Sequence, residues 1–286
     1  MGGIAGEAAV SSERWASKAG VEIELVDSEG AARELVTVLS RVWPQPDGSQ
    51  PFPPELAWAL AHSGNYVALA RTEDGPVAAA VAFRGRDADG VHLHSHMVGV
   101  VADHQGANIG FALKQHQRAW ALDQDLARIT WTFDPLLVRN AYFNVMKLGA
   151  RLTRYYVDFY GELTDGINAG DETDRCLVTW WLTEDRAVRA SAGEVPSSDR
   201  GALLASGAVK VLGPDATGAP EPSADCVAPV RLVCVPADAV DVRRTDPGRS
   251  REWRHALRTV LRDAFDAGLE VTAVSRDGCY VLSADG

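Results

Sequence analysis

Residues 98–114 read VGVVADHQGANIGFALK, and this stretch is the most informative part of the sequence for predicting the fold. It opens as an apolar strand, continues as a short polar loop, and predicts a helix that begins just after the glycines, at Ile109. Glycines let the backbone approach a ligand closely, and the first turn of a helix presents N–H groups where its dipole is positive. The order of strand, loop and helix therefore predicts an anion site. An ordinary strand-to-helix turn is the alternative.

The segments on either side predict alternating strands and helices. A proline-rich break interrupts the helical pattern before Pro54, and the pair Asp74-Gly75 predicts a β-hairpin. The predicted elements, in chain order, are strand 21–26, helix 31–42, helix 55–61, strands 65–71, 76–83 and 91–101, helix 109–122, strand 128–133, helix 140–148, and strands 151–160 and 176–182.

The chain is predicted to have one main domain with smaller parts at both ends. Residues 1–20 are expected to be a flexible lead, and 21–183 the main domain. Residues 184–228 have weak periodicity and many small residues, which indicates a connector. Residues 229–286 are predicted to form an extension with the order strand, helix, strand, strand. Residues 128–182 show the same order, so the extension resembles a half-repeat of that segment. A structural or acceptor-covering role is expected for it, and an exposed strand edge is compatible with a homodimer.

The composition excludes several classes of protein. The chain has 286 residues, of which 46% are hydrophobic and 23% charged, as in globular domains. No apolar run approaches the ~20 residues of a membrane span, and no secretory leader pattern is present, so the cytoplasm is expected. A formal net charge of −11 disfavours nucleic acid as a partner. The four cysteines have no CxxC spacing, so ordinary thiols are expected rather than a zinc site or a disulfide framework.

Residues 105–110, QGANIG, resemble the Gln/Arg-x-x-Gly-x-Gly/Ala pyrophosphate loop of the GNAT superfamily of acyl-CoA-dependent N-acyltransferases. Asn108 stands where the family usually has glycine, and asparagine tolerates left-handed backbone angles better than most residues. Residues 141–150, AYFNVMKLGA, resemble the later family helix Ala-x-x-x-Tyr-x-x-x-Gly-Phe. Residues 21–182 follow the family's order of elements. The runs HSHM (94–97) and WTFDPL (131–136) are similar to a bacterial branch of predicted acetyltransferases.

This resemblance implies an α/β (α+β) fold, with a mixed, mostly antiparallel central sheet flanked by helices and the C-terminal extension. It also implies acetyl-CoA or another acyl-CoA as co-substrate. In the family, a backbone N–H of the strand before the loop polarises the thioester carbonyl, and the loop holds the pyrophosphate. The residues implied for coenzyme binding are Val98, Val100, Gln105, Gly106, Ala107, Asn108, Ile109 and Gly110.

His94 lies where the family often has its carboxylate base, four positions before the Val98 to Val100 stretch. An imidazole with an unperturbed pKa of about 6.5 suits a base near neutrality. His92, His94 and His96 alternate and so share one face of the strand. We therefore predict His94 or His96 as the base. The alternatives are hydrogen-bonded groove histidines and, third, a His-x-His metal site, so no metal is expected.

Four further residues are candidate substrate contacts. Trp131 and Asp134 lie at the end of the next strand, where the family's central strands separate. Asp134 could orient an amine there or cap a turn. Asn140 has the same two readings. Tyr142 is a further candidate contact.

The family's helix tyrosine falls at Val145, a residue unable to donate a proton. Tyr142, Tyr155 or Tyr156 could replace it, or the thiolate could leave unaided.

The predicted function is transfer of an acetyl or other short acyl group from coenzyme A to an amine of a small molecule by direct attack. Aromatic residues on the last two strands favour a partly apolar acceptor. The alternative is a non-catalytic acyl-CoA sensor or scaffold, suggested by Val145 and Asn108.

Overall fold

The computed structural model describes residues 2–161, 172–223 and 228–284. Residues 162–171, inside the predicted main domain, and 224–227, inside the predicted connector, lie outside the described residues, as do Met1 and 285–286. The described chain forms two compact units. The first contains the residues up to Trp131 together with Trp181–Ala192, and the second contains the rest.

The helices and strands predicted from the sequence are present, although the helix predicted at 140–148 and the strand predicted at 151–160 end earlier than expected, and several further elements occur. The helices and strands are α1 (Gly2–Ala19), β1 (Glu22–Leu25), α2 (Glu29–Val42), α3 (Pro54–His62), β2 (Val67–Thr72), β3 (Gly75–Asp87), β4 (Gly90–Val100), α4 (Ile109–Asp123), β5 (Arg128–Phe133), α5 (Val138–Tyr142), β6 (Arg151–Tyr156), β7 (Arg175–Trp181), α6 (Asp185–Ala192), α7 (Arg200–Ala205), β8 (Val209–Pro214), β9 (Pro220–Pro222), β10 (Val230–Cys234), α8 (Ala239–Thr245), α9 (Pro247–Asp266), β11 (Glu270–Val274) and β12 (Cys279–Ser283).

The first unit is built on the strand order β1-β2-β3-β4-β5. The first four strands pair antiparallel, and β4 pairs parallel with β5. The apolar stripe of α2 packs against β3, with Leu35, Val36 and Leu39 buried. This confirms the mixed, mostly antiparallel sheet flanked by helices.

Two irregularities of β4 lie just before the glycine loop. Opposite β3, the register moves from Val81↔Met97 to Ala82↔Ser95, so His96 is the extra residue of a β-bulge. Opposite β5, pairing is confined to Leu93↔Ile129 and His94↔Thr130. Beyond His94, therefore, one edge of β4 has no ladder partner on β5.

The expectation of a flexible lead at residues 1–20 is wrong, because Gly2–Ala19 forms α1. The ring of Trp15 meets that of Phe111 on α4 edge to face at 4.6 Å. Ser11 and Trp15 donate hydrogen bonds to the carbonyl oxygen of Ser191, at 3.0 and 2.8 Å. The sequence of α1 has many small residues and no clear apolar stripe. These small residues nevertheless pack closely against α4, so α4 is buried on more than the face that contacts the sheet.

The second unit contains the antiparallel pair β6–β7 and a sheet of order β11-β12-β10-β8-β9. The predicted order of the extension is confirmed, with α8 as an additional helix before α9. The predicted connector is a correction, because it contains α6, α7, β8 and β9. Strand β8 pairs parallel with β10, and this long-range pairing orders a segment whose local periodicity is weak.

The expectation that all cysteines are ordinary thiols is also wrong. Cys234 and Cys279 are directly opposite on β10 and β12, with Cα atoms 4.0 Å apart, and form a disulfide. The two cysteines are 45 residues apart in the sequence, so no local spacing indicates the pairing. The register of β10 and β12 brings them together. Cys176 is a buried free thiol, and Cys226 lies outside the described residues. In the described part of the chain no helix has the length and apolarity to cross a membrane.

The disulfide predicts a measurable stabilisation of the second unit. The double variant Cys234→Ala/Cys279→Ala is expected to lose about 2–4 kcal/mol of unfolding free energy, because the bond limits the unfolded chain. Denaturant unfolding followed by circular dichroism measures the loss. Dithiothreitol should destabilise the wild type to a similar extent and leave the variant unchanged. Equal stability of oxidised wild type and variant contradicts the prediction.

Candidate active site

The loop between β4 and α4 has the backbone conformation that an anion cradle requires. Gly106 has φ +88° and Asn108, directly before the helix, has φ +62°. Both are left-handed, so asparagine meets the need usually met by glycine. The side chain of Asn108 makes no capping hydrogen bond, and the first helical bond runs from the N–H of Ala112 to the Asn108 carbonyl, at 2.9 Å. The amides of the first turn thus have no partner within the helix.

The space around the loop suits a pyrophosphate. A Cβ placed on Gly106 meets no atom within 4 Å, and residues 105–108 are exposed. The side-chain amide nitrogen of Gln105 donates a hydrogen bond to the backbone carbonyl oxygen of Val100, at 3.4 Å. Residues 105–110 contain no carboxylate that would repel a phosphate. The predicted coenzyme residues therefore lie together at the end of β4 and the start of α4.

The histidines of β4 form part of an aromatic wall. His94 is half-buried, and its Nδ1 lies 3.1 Å from the hydroxyl oxygen of Thr130 on β5. The rings of His94 and His96 are 5.3 and 5.9 Å from that of Phe83. Phe52, from the proline-rich segment, lies 6.3 Å from His96. The predicted base candidates thus share one wall.

His92 has different surroundings, because it is buried beside an ion pair. Its Nδ1 lies 3.6 Å from a carboxylate oxygen of Asp87 and 3.3 Å from an Arg128 guanidinium nitrogen. The described part of the chain contains no group of three or more histidine, cysteine, aspartate or glutamate side chains that could hold a metal ion.

The wall changes the acid–base properties expected of its histidines. Burial lowers the pKa of His94 to about 4, and the neighbouring His96, His92 and Lys114 add to this effect. Burial also lowers the pKa of His96. The unperturbed imidazole pKa of about 6.5 therefore does not apply to His94, and the assignment of His94 or His96 as the base stays a prediction. His94 is a neutral imidazole throughout the neutral range and becomes protonated only as the pH falls through about 4.

Lys114 is a buried residue of the site that sequence reasoning missed. Its Nζ donates to the hydroxyl of Ser95 on β4 at 2.9 Å and to Gln117 at 3.1 Å, and it lies 3.9 Å from the centre of the Trp131 ring on β5. Burial lowers the pKa of Lys114 to about 7. The available signal was the stripe formed by Gly110, Lys114, Gln117 and Ala121, which has the spacing of one helix face. A search for apolar residues alone overlooks it.

Of the predicted substrate contacts, Trp131 lies in the first unit, where it is buried against Lys114. The other three belong to the second unit, each with its own surroundings. Asn140 is exposed on α5, and the hydroxyl oxygen of Tyr142 accepts a hydrogen bond from Arg276 at 3.2 Å. Val145 is buried in the π-helical turn Phe143–Lys147 that follows α5.

Asp134 is held by contacts inside the second unit. It accepts hydrogen bonds from the N–H of Leu136 at 3.0 Å, from Arg254 at 3.1 and 3.2 Å, and from Arg243 at 2.7 Å. Burial opposes ionisation of Asp134, but these charges and hydrogen bonds outweigh it and hold the pKa below its usual value. This arrangement favours the turn-capping and packing reading of Asp134 over contact with an amine.

Comparison with known proteins agrees with this geometry. Residues 32–144 match the model of the Acetyltransferase (GNAT) family, the range that contains the loop, α4 and the histidines. None of the curated proteins compared with the chain matches it significantly. This match identifies residues 32–144, which include the glycine loop, as an acetyltransferase domain of the GNAT family.

Several solved structures are similar to part of the chain. Arabidopsis thaliana Naa50 in complex with the bisubstrate analogue CoA-Ac-MVNAL is 19% identical, with 56% of this chain and 97% of that chain covered and a TM-score of 0.44. The ribosomal-protein-S18-alanine N-acetyltransferase from Escherichia coli is 12% identical, with coverage of 57% and 95% and a TM-score of 0.46. A GNAT acetyltransferase from Elizabethkingia anophelis with acetyl-CoA bound is 19% identical, with coverage of 57% and 99% and a TM-score of 0.42.

The two readings of Asp134 predict different outcomes for Asp134→Ala. Removing a buried carboxylate from two arginines is expected to cost about 3–5 kcal/mol of unfolding free energy, because the two largely buried guanidinium groups lose the carboxylate that they share. Thermal and denaturant unfolding measure this. The control Asp241→Ala removes an exposed carboxylate paired with Arg244 and should change stability little. A raised KM for the amine with unchanged stability would restore Asp134 as a substrate contact.

Proposed function

We propose that this enzyme transfers an acetyl or other short acyl group from coenzyme A to an amine of a small molecule by direct attack. The observation that carries the proposal is the left-handed turn at Gly106 and Asn108, which opens the first turn of α4 at the end of the bulged strand β4. Such a turn concentrates N–H groups where a pyrophosphate binds.

The free edge of β4 supports a place for the thioester. Pairing with β5 ends at His94, so backbone groups of β4 between Ser95 and Val100 on that side have no β5 partner. A backbone N–H in the Val98 to Val100 stretch can donate to the thioester carbonyl and stabilise the oxyanion that develops there. Val98 and Val100 then act through their backbone, and Gln105 helps to hold the loop through its bond to Val100.

The proline-rich segment supports a small, partly apolar acceptor. The same segment places Phe52 against His96. An amine carried on an apolar body would pack against this aromatic wall, with its nitrogen directed to the histidines.

The chemistry balances with the groups present. The amine nitrogen attacks the thioester carbon, an N–C bond forms, and the C–S bond breaks. The nitrogen becomes strongly acidic once it is bonded to the carbonyl carbon, so even a weakly basic neutral imidazole of His94 or His96 can take its proton. Coenzyme A leaves as a thiolate and is protonated to the free thiol. Val145 offers no proton, so the thiolate leaves without help from that position.

Turnover tests the proposal directly. Acetyl-CoA incubated with the enzyme and a panel of amines should release free thiol only when an acceptor is present. Gly106→Asp should abolish release and weaken coenzyme binding, because its carboxylate would face the pyrophosphate. Gly20→Asp is the matched control, because Gly20 also has a positive φ and open space around it but lies outside the loop.

The panel also separates classes of acceptor. It contains arylalkylamines, amino acids, polyamines and short peptides with free N termini. Transfer to arylalkylamines or amino acids supports a small-molecule acceptor. Transfer to peptides alone would contradict it and identify a peptide acceptor instead. Tight acetyl-CoA binding without thiol release for any acceptor would favour the sensor.

The lowered pKa of His94 makes a second prediction. His94→Ala should reduce kcat by roughly 10²-fold or more at pH 7 with nearly unchanged acetyl-CoA affinity, because a proton acceptor is lost. The control His255→Ala removes an exposed histidine of the second unit. In the wild type, the titration of His94 followed by NMR should lie near pH 4. An acid limb of kcat near pH 6.5 that His94→Ala removes, or an unchanged rate in that variant, contradicts the assignment.

A further inference from the structure

The second unit contains a cavity of its own, with a volume of about 720 Å³. Side chains of α5, of the segment leading into α7, and of the turn between β11 and β12 form its walls. Pockets of 300–1,000 Å³ that combine apolar walls with a few polar groups are typical of small-ligand sites.

The charges in this cavity leave one guanidinium without a carboxylate. Arg200 is paired with Asp277 at 2.9 Å, and Asp277 also accepts a hydrogen bond from Ser275 at 2.5 Å. Arg276 forms no ion pair in the part of the chain that the structure describes, and its Nε donates to the hydroxyl oxygen of Tyr142. That leaves the Tyr142 proton and the terminal nitrogens of Arg276 as donors for an anion.

Asp199, the other carboxylate of the wall, is engaged in the chain's own structure. Its Oδ1 accepts a hydrogen bond from the N–H of Ala202 at 2.7 Å, at the start of α7. Ser198, the residue before it, has a buried hydroxyl oxygen with no hydrogen-bond partner among the described residues. Buried polar atoms are rarely left unpaired, so this hydroxyl is suited to a ligand.

The remaining wall is apolar. Val195 and Leu204 line the cavity with 42% and 44% of their surfaces exposed, and Pro196 lies beside Val195. Exposed aliphatic side chains next to an uncompensated arginine define an amphipathic site, with one polar end and one apolar wall.

We propose that this cavity binds a small organic acid, a carboxylate or phosphate monoester carried on a short apolar body. Arg276 binds the anion, the hydroxyls of Tyr142 and Ser198 hydrogen-bond to it, and Val195 and Leu204 pack against the apolar body. Arg200 remains paired with Asp277. The site does not depend on the acyl-transfer reaction proposed for the first unit.

Isothermal titration calorimetry of the full chain with octanoate tests this site. One saturable site is expected, with octanol and acetate binding far more weakly, because each lacks one half of the ligand. Octyl phosphate in place of octanoate distinguishes the two anionic groups. Arg276→Gln should weaken octanoate binding about tenfold or more, since a charge-assisted hydrogen bond is lost. Arg251→Gln, an exposed arginine of α9, is the matched control.

A second variant protects the test from a folding effect at Arg276. Val195→Asp places a carboxylate on an exposed wall residue and should also weaken octanoate binding, by repulsion. Equal affinity for octanoate and octanol, or unchanged affinity in both variants, overturns the proposal. Gly106→Asp should leave octanoate affinity unchanged. If it abolishes octanoate binding, the acid occupies the coenzyme site and the cavity is not the binding site.

Discussion

The parallel pairing of β4 with β5 is limited to two positions, Leu93↔Ile129 and His94↔Thr130, and the proposed site depends on this constraint. From Ser95 onward β4 has no ladder partner on β5. The bulge at His96 twists the same strand where it faces β3. An unpaired strand edge normally costs hydrogen bonds, and under the proposed function its backbone donors would serve the thioester instead.

Lys114 is a buried amine that contacts both β4, through Ser95, and β5, through Trp131. A lysine ammonium in an apolar setting is unstable unless it has partners, and here Ser95, Gln117 and the face of Trp131 provide them. Because burial lowers the pKa from 10.5 to about 7, the unfolded chain binds more protons than the folded chain between these values. The free energy of unfolding therefore gains from this group as the pH rises through that window.

Local patterns in the sequence predicted what depends on short-range geometry. The loop and its tolerance of Asn108 follow from backbone preferences within six residues, and the order of strands follows from apolar periodicity. The docking of α1 on α4 was missed because small residues pack well without an apolar stripe. The disulfide and the pairing of β8 with β10 arise only when distant strands come into register. The pKa of His94 likewise depends on burial and on neighbours from β4 and α4, and the sequence around a single histidine does not contain this information.

Gly99 lies between Val98 and Val100, the two residues implied for thioester binding, and its backbone is in close contact with the end of α2. A Cβ at this position would fall 2.8 Å from a methyl of Val42 and 3.0 Å from the ring of Trp43, at the end of α2. The helix end therefore rests directly on the backbone of the coenzyme strand. Trp43 begins the proline-rich segment, and Phe52 of the same segment lies 6.3 Å from His96 on β4, so this segment contacts β4 at two points. Substitution of Gly99 by alanine would force the end of α2 away from the stretch of β4 that holds Val98 and Val100.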